Sequence, residues 1–318
     1  MSNPRIAVLL PCFNEAAAIA QVVQDFSASL PTAIVYVYDN NSTDDTAALA
    51  ERAGAIVRQE LRRGKGNVVR RMFADVEADI YVIADGDQTY DATAAPAMID
   101  RLLRDNLDMV VAKRQAASGG AYRPGHKSGN RVMTRFVAEL FGARFTDIFS
   151  GYRVFSRRFV KSFPALATGF EIETELTVHA LQLGLPVAEI PSPYTQRPDG
   201  STSKLATFSD GWRILMTILQ LYKDVRPFRF FGAIGTALLA VAVVLAWPLL
   251  LTWMKTGLVP RFPTAILSTG IVLLAFLSFA CGIILESVAR GRLEAKRLAY
   301  LRHGAGAEPF VGTRLPKP

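Results

Sequence analysis

Cysteine and histidine are scarce in this sequence, with two of the former and three of the latter in 318 residues. Cys12 falls in a short apolar run near the start and Cys281 in a long one near the end. Neither a disulfide framework nor a zinc-ligand spacing can be assembled from them. They read as small buried apolar side chains, and so low a content suits a reducing compartment. His126 and His179 have no partner at metal spacing, which argues against histidine-based metal or acid–base chemistry. The Gly-x₄-Gly-Lys-Ser/Thr phosphate loop is missing, and no strand feeds a Gly-x-Gly-x-x-Gly dinucleotide fingerprint. Internal repeats and low-complexity tracts are absent as well. No secretory leader is legible: Arg5 precedes only a short apolar run ended by Pro11, without a small-residue cleavage site. The first domain is therefore expected on the cytoplasmic side.

Positive charge is present in excess. The formal net charge is +8, from 36 Lys and Arg against 28 Asp and Glu. Such a balance suits nucleic acid, an anionic membrane surface or phosphorylated substrates. Long apolar runs near the C-terminus favour the last two, and no nucleic-acid partner is expected. Phe230–Trp253 is apolar apart from Thr236 and Thr252, and Thr264–Leu285 is similar. Each has about the 20 residues needed to cross a bilayer core. Lys223, Arg226 and Arg229 precede the first run, and Arg290, Arg292, Lys296, Arg297 and Arg302 follow the second. The connector holds only Lys255 and Arg261. The positive-inside rule then places both flanks in the cytoplasm, as a multi-pass protein of the cell membrane in contact with membrane lipids.

The text before Phe230 alternates buried-strand and helix patterns. Strands are expected at Ile6–Leu10, Ile34–Tyr38, Ile56–Arg58, Ile80–Ala84 and Met109–Ala112, and helices at Ala16–Leu30, Asn67–Val76 and Ala94–Arg104. Ser42–Asp45 reads as a capping box opening a further helix. The alternation predicts an α/β fold with a mostly parallel sheet covered on both faces. Amphipathic stretches at Asn130–Phe141 and Trp212–Tyr222 suit either core helices or the membrane interface. The expected organisation is a catalytic domain over residues 1–205, an amphipathic juxtamembrane helix over 206–229, membrane helices over 230–254 and 264–286, and a basic cytoplasmic tail over 287–318.

Ligands of such sheets bind outside the carboxyl ends of the strands. Asp39 and the Asp85-Gly86-Asp87-Gln88 segment both fall there. Paired carboxylates suit Mg²⁺ or Mn²⁺ completed by substrate phosphates, and Gly86 permits a tight turn. Pro11-Cys-Phe-Asn14-Glu15 follows the first strand, and Asn14 and Glu15 suit a ribose or base. Arg62-Arg-Gly-Lys65-Gly-Asn67 places cations beside a helix start, as diphosphate binding requires.

These motifs, in this order and spacing, resemble the family 2 glycosyltransferases of the glycosyltransferase-A fold. Lys113-Arg114, Arg123, Asn130, Asp147-Ile-Phe-Ser-Gly-Tyr-Arg153 and the apolar C-terminal runs narrow the likeness to the polyprenyl-phosphate glycosyltransferases, over roughly residues 5–290. That group includes dolichyl-phosphate mannose synthases and bactoprenol glucosyltransferases. The resemblance implies a nucleotide-sugar donor and a polyprenyl phosphate acceptor, with Pro11, Asn14, Glu15, Asp39, Lys65, Asp85, Gly86, Glu173, Arg197 and Lys204 around the donor. It implies Asp85, Asp87 and Gln88 at the metal, and Arg114, Arg123, Lys127 and Asn130 at the acceptor phosphate. Asp85, Asp87, Arg114 and Arg123 would form the catalytic set. Lys127 stands where the group often has serine. Gln88 directly follows Asp87, where the family commonly has its glutamine one place later. Glu171 and Glu175 share a helix face and Glu173 points elsewhere. The implied reaction inverts the anomeric carbon, and relatives form homo-oligomers. The competing readings are a transferase acting on a glycan or lipid-linked hydroxyl, with Asp147 or Glu173 as base, and a non-catalytic nucleotide-sugar-binding scaffold. The Gln-x-x-Arg-Trp of processive relatives is absent.

Overall fold

The computed structural model describes residues 4–116, 145–198 and 207–304. Its contacts divide the chain into two units, Met1–Thr217 with Lys296–Pro318, and Ile218–Ala295.

In the first unit, strands β1 (Ile6–Cys12), β2 (Ile34–Asp39), β3 (Ile56–Gln59), β4 (Ile80–Ile83), β5 (Met109–Ala116), β6 (Arg153–Ser156) and β7 (Val187–Tyr194) form one sheet, ordered β3-β2-β1-β4-β6-β5-β7. The β1–β2, β1–β4, β2–β3 and β5–β7 pairs are parallel, while β6 runs antiparallel between β4 and β5. Helices α1 (Ile19–Ser29), α2 (Thr46–Arg52), α3 (Lys65–Asp75), α4 (Ala95–Arg104), α5 (Arg157–Ser162) and α6 (Ile172–Leu183) alternate with the strands. The two-residue period of the strands sorts the core. Val8, Leu10, Val82, Val110 and Val154 pack with Ile19, Val23, Phe26, Met98 and Leu102. Out of phase with them, Tyr81 and Phe155 meet Phe73, Phe159 and Phe163 in an aromatic cluster.

The chain leaves β1 towards β2 and β3, then returns to place β4 on the other flank of β1. That reversal opens a crevice at the carboxyl ends of β1 and β4. Pro11 is tolerated in a central strand because β4 pairs β1 only as far as Leu9–Ile83, whereas Pro11 faces Tyr38 alone. Antiparallel β6 starts where β4 stops, and β7 ends at the same edge. The Asp147–Tyr152 loop and the Thr195–Arg197 segment thereby reach the crevice.

Several expectations need correction. Ser42–Asp45 is not a capping box: Asp45 occupies the N-cap without a side-chain cap bond, and Ser42 Oγ accepts from the Asn14 amide at 2.9 Å. Asp44 instead accepts from the Thr46 amide at 3.1 Å. The strands β6 and β7 lie beyond the last one expected. In β7, Pro191 and Pro193 hide the strand pattern, and an edge position accommodates them. The 41-residue helix running Phe262–Arg302 carries the basic segment after residue 286 on as helix, because that stretch is rich in Leu, Ala, Glu, Lys and Arg. Within the first unit, its end is bonded by Tyr300 Oη to Asp108 Oδ2 at 2.9 Å and by Lys296 Nζ to Gln182 Oε1 at 2.7 Å.

Helices α7 (Thr207–Val225), α8 (Pro227–Thr256) and α9 (Phe262–Arg302) complete the described chain. Arg226, with φ −133°, separates α7 from α8, and a proline sits in the first turn of α8, where its missing N–H costs nothing. The apolar stretches of α8 and α9 are only 17% and 11% buried, and both are long enough to cross a bilayer. In the second unit Ser278 Oγ donates to the Phe231 carbonyl at 2.8 Å, and Glu286 accepts from the Phe228 amide at 3.2 Å at the start of α8. These two exposed apolar helices suggest membrane association.

Candidate active site

Asn14 takes a left-handed conformation, φ 53°, immediately after β1. Its amide donates to Ser42 Oγ, and its Oδ1 accepts from the Thr43 amide at 2.8 Å. The next amide, of Glu15, donates to Thr46 Oγ1 at 2.9 Å. The segments following β1 and β2 are thus laced together. Asp39 ends β2 with one carboxylate oxygen accepting from the Ser42 amide at 3.1 Å. The other oxygen is buried and has no hydrogen-bond partner among the described residues. A buried acceptor left open in this way suits a ligand N–H or O–H. Asn40 donates to the carbonyls of Glu60 and Arg62 and accepts from the Gly64 amide at 2.7 Å. It shapes the loop that carries Lys65.

Lys65 is the hub of the crevice. Its Nζ lies 2.5 Å from both Asp85 Oδ1 and Glu173 Oε1. Burial alone would lower the ammonium pKa, but the charges of Asp85 and Glu173 outweigh it and hold the pKa above the ordinary range. The three glutamates of α6 divide as their spacing predicts. Glu175 accepts from the Leu166 and Ala167 amides and Glu171 from those of Thr168 and Gly169, while Glu173 turns to Lys65. The segment they brace receives the Gly66 amide on the Thr168 carbonyl, at 3.1 Å.

Asp85 follows β4 and rests against Gly151, where an added Cβ would stand 2.6 Å from its Oδ2. Gly86 does not have a positive φ. Glycine is needed there because a Cβ would sit 2.4 Å from Cys12 Sγ. The left-handed residue of this turn is Gln88, φ 60°, whose carbonyl accepts from Thr195 Oγ1 at 3.2 Å. Asp87 is 2% exposed. Thr89 donates to its Oδ1 through Oγ1 at 2.6 Å and its amide at 3.2 Å, and Arg197 reaches its Oδ2 at 2.5 Å. Burial, then the neighbouring Asp85 charge, raises the Asp87 pKa. Arg197 also lies 4.0 Å from Glu15 Oε1.

Arg114 projects from β5 and grips Asp147 with two parallel bonds, Nε at 2.8 Å and Nη2 at 2.7 Å. Its guanidinium lies over the Tyr194 ring. Burial opposes its charge, yet Tyr90 and Asp147 outweigh that and push its pKa up. Arg153, 1% exposed, donates to the Ser150 and Ile148 carbonyls and to Thr177 Oγ1, so it shapes the loop rather than facing a ligand. Burial lowers its pKa to about 10.

The structure therefore gathers two groups of ion pairs at the ends of β1 and β4, Lys65 with Asp85 and Glu173, and Arg197 with Asp87 and Glu15, with Asp39 at the end of β2 and Arg114 on Asp147. Arg123, Lys127, Asn130 and Lys204, with the Asn130–Phe141 helix, lie outside the described residues. Sequence reasoning gave no individual role to Asn40, Thr46, Thr89, Tyr90 or Gly151. Tyr90 is a partly buried ring whose hydroxyl accepts from the Gly151 amide at 2.8 Å. Nothing in a single sequence marks such neighbours apart from their closeness to the acidic motif.

Among the described residues, no group of three or more His, Cys, Asp or Glu side chains forms a metal cage. Asp85 and Asp87, crowded and mutually repelling, fit an open site in which phosphate oxygens complete the coordination of Mg²⁺ or Mn²⁺.

Residues 7–163 match the model of the family described as Glycosyl transferase family 2. Over 269 residues the chain is 35% identical to the glycosyltransferase AglJ of Haloferax volcanii, spanning 84% of this chain and 88% of that relative. It is 27% identical to a dolichyl-phosphate hexose transferase of the same organism, over 70% of this chain and 95% of the relative. Its fold is similar to that of the glucosyl-3-phosphoglycerate synthase of Mycobacterium tuberculosis solved with Mn²⁺, UDP-glucose and phosphoglyceric acid. The TM-score is 0.58 at 25% identity, covering 69% of this chain and 80% of that one.

Proposed function

The chain belongs to glycosyltransferase family 2, and from that premise we propose that it transfers a hexose or N-acetylhexosamine from a nucleotide sugar, a UDP-sugar in preference to GDP-mannose, to polyprenyl phosphate with inversion. The observation that carries the acceptor class is the state of the two carboxylates a hydroxyl acceptor would need. Asp147 is gripped bidentately by Arg114, and Glu173 is paired with Lys65 at 2.5 Å. Both carboxylates are thus engaged by cations rather than standing open towards an acceptor hydroxyl. A phosphate monoester has a second pKa of about 6 and reaches the site already ionised. It needs cations to overcome its repulsion from the donor, not a base.

The unpartnered oxygen of Asp39 would accept from the base or ribose, beside Pro11 and the Asn14–Glu15 turn. Asp85 and Asp87, with Gln88 beside them, would hold the divalent cation, which supplies charge neutralisation for the departing diphosphate. Lys65 keeps Asp85 and Glu173 in place, and Glu173 would meet hydroxyls of the donor sugar. Arg197 and Lys204 would bind the diphosphate, and Arg114, Arg123, Lys127 and Asn130 the acceptor phosphate. The two apolar helices support anchoring at the membrane that holds the acceptor, with the catalytic unit on the cytoplasmic side. A homo-oligomer through these helices belongs to the same proposal.

Purified protein with undecaprenyl phosphate, Mg²⁺ and labelled UDP-glucose, UDP-N-acetylglucosamine or GDP-mannose should yield one chloroform-soluble sugar phosphate. No product from any donor would refute the reading. Near-normal turnover by Asp87→Ala would refute the metal assignment.

A further inference from the structure

Arg197 stands where the divalent cation is expected. Its Nη2 is 2.5 Å from Asp87 Oδ2, and its Nη1 is 4.0 Å from Glu15 Oε1. The other oxygen of Asp87 is bonded by Thr89. Both oxygens are thus engaged, in a side chain with almost no solvent exposure. The arginine is held there by its backbone: the Thr195 amide donates to the Thr89 carbonyl at 3.0 Å, and Tyr90 and Tyr194 form a β-bridge. The strand that delivers Arg197 is in this way sewn to the loop that delivers Asp87. Lys65 differs. It is clasped by Asp85 and Glu173 and 11% exposed, whereas the Arg197 side chain is 26% exposed and has solvent to move through.

We propose that Arg197 is the resident counter-ion of the metal seat, holding Asp87 in the donor-free enzyme and transferring to the diphosphate when donor and divalent cation arrive together. This rests on the assignment of Asp85 and Asp87 to the metal. A cation arriving alone must expel a guanidinium from a buried carboxylate and leave it beside a new positive charge. A diphosphate gives that guanidinium a planar, bidentate acceptor of the kind it binds best. Cation and diphosphate then bind with positive coupling that runs through this side chain as well as through their direct contact.

The test is Mn²⁺ binding followed by electron paramagnetic resonance on the full chain in detergent, first with Mn²⁺ alone and then with UDP. Arg197→Gln and Arg197→Met should each bind Mn²⁺ alone about tenfold tighter than wild type, or more. Arg197→Lys, which keeps the charge, should stay near wild type. Adding Asp87→Asn to Arg197→Gln should remove the gained affinity. UDP should enhance Mn²⁺ binding less in the Gln and Met variants than in wild type. Equal Mn²⁺ affinity in wild type and both neutral variants overturns the proposal, as does a gain that survives Asp87→Asn. These outcomes leave the metal assignment standing if wild type binds Mn²⁺ in the presence of UDP. Absence of Mn²⁺ binding from every protein, with or without UDP, overturns that assignment and the proposal with it.

Discussion

Replacing Gly86 by alanine tests whether the acidic turn is built on its contact with β1. The added Cβ would stand 2.4 Å from Cys12 Sγ and 3.4 Å from Ile19 Cδ1. The first distance is more than ~1 Å inside the 3.5–4.0 Å at which heavy atoms attract. Cys12 is 2% exposed in a packed strand, so neither side can retreat freely. Overpacking of this kind costs about 1–3 kcal/mol. Because φ at Gly86 is not positive, none of that cost comes from the backbone. The clash therefore has a single identifiable partner. Cys12→Ala removes Sγ and leaves a Cβ that the new methyl would meet at 3.8 Å, an ordinary contact. Alone, Cys12→Ala should cost about 1 kcal/mol for a small buried cavity. In that background Gly86→Ala should cost almost nothing, giving a coupling of about 1–3 kcal/mol between the sites. Unfolding midpoints in detergent for the four proteins of the cycle give the coupling. Sugar transfer should follow the same pattern, since Asp85 and Asp87 flank the displaced residue: low in Gly86→Ala, largely restored in the double variant. Equal costs for Gly86→Ala in both backgrounds would refute the account.

Gly151→Ala should push the Asp85 carboxylate, which lies 2.6 Å from the new Cβ. Transfer should fall at least about tenfold, and steady-state kinetics beside a melting curve would check it. Asp147→Asn removes the carboxylate that grips the partly buried Arg114, a change that typically costs about 3–5 kcal/mol where a pair is buried. Denaturant unfolding should show it, and a loss below about 1 kcal/mol would mean the pair is unimportant. Chelation with EDTA should abolish transfer, and Mg²⁺ or Mn²⁺ should restore it, read by product formation. His179 is 1% exposed, and its pKa is lowered to about 3, chiefly by burial. In the unfolded chain it titrates near 6.5, so between those values the folded state binds fewer protons. Its contribution is complete above about pH 6.5 and is lost as pH falls towards 3. From pH 7 to 5 wild type should lose about 2 kcal/mol more than His179→Gln, measured by unfolding at both pH values.

The parts of the fold that rest on periodicity were legible. The parallel strands up to β5 are short β-rich runs, buried except for the outlying β3, and each was visible within a few residues. The division of Glu171, Glu173 and Glu175 followed from helical spacing alone. What stayed hidden depended on distant partners. Arg153–Ser156 is only four residues long, and its place between β4 and β5 is fixed by pairing across the sheet rather than by any local pattern. The Ser42–Asp45 segment has the composition of a capping box, but Asn14 competes for Ser42 from 28 residues away. Gly86 was assigned to a tight turn for its missing side chain. Its neighbour Cys12 shows that the same absence serves a close approach.

The acidic and basic motif residues raise a deeper difficulty. A sequence gives each charge a type but no partner, so every charged position in a motif reads as a ligand contact. In the structure they satisfy one another. Lys65 spans Asp85 and Glu173, Arg197 holds Asp87, and Arg114 holds Asp147. This follows from burial, because ionised groups removed from water must be paired while they wait for a substrate. Such a site can therefore bind two phosphorylated substrates only by exchanging internal pairs for external ones. The pairs differ in how readily they exchange. Arg114 is fixed by a bidentate bond and an aromatic ring, and Lys65 by two carboxylates, so each exchanges only at high cost. The Arg197 side chain, at 26%, is more exposed than that of Lys65, at 11%, which is why the proposed exchange with a donor diphosphate is assigned to the Arg197–Asp87 pair.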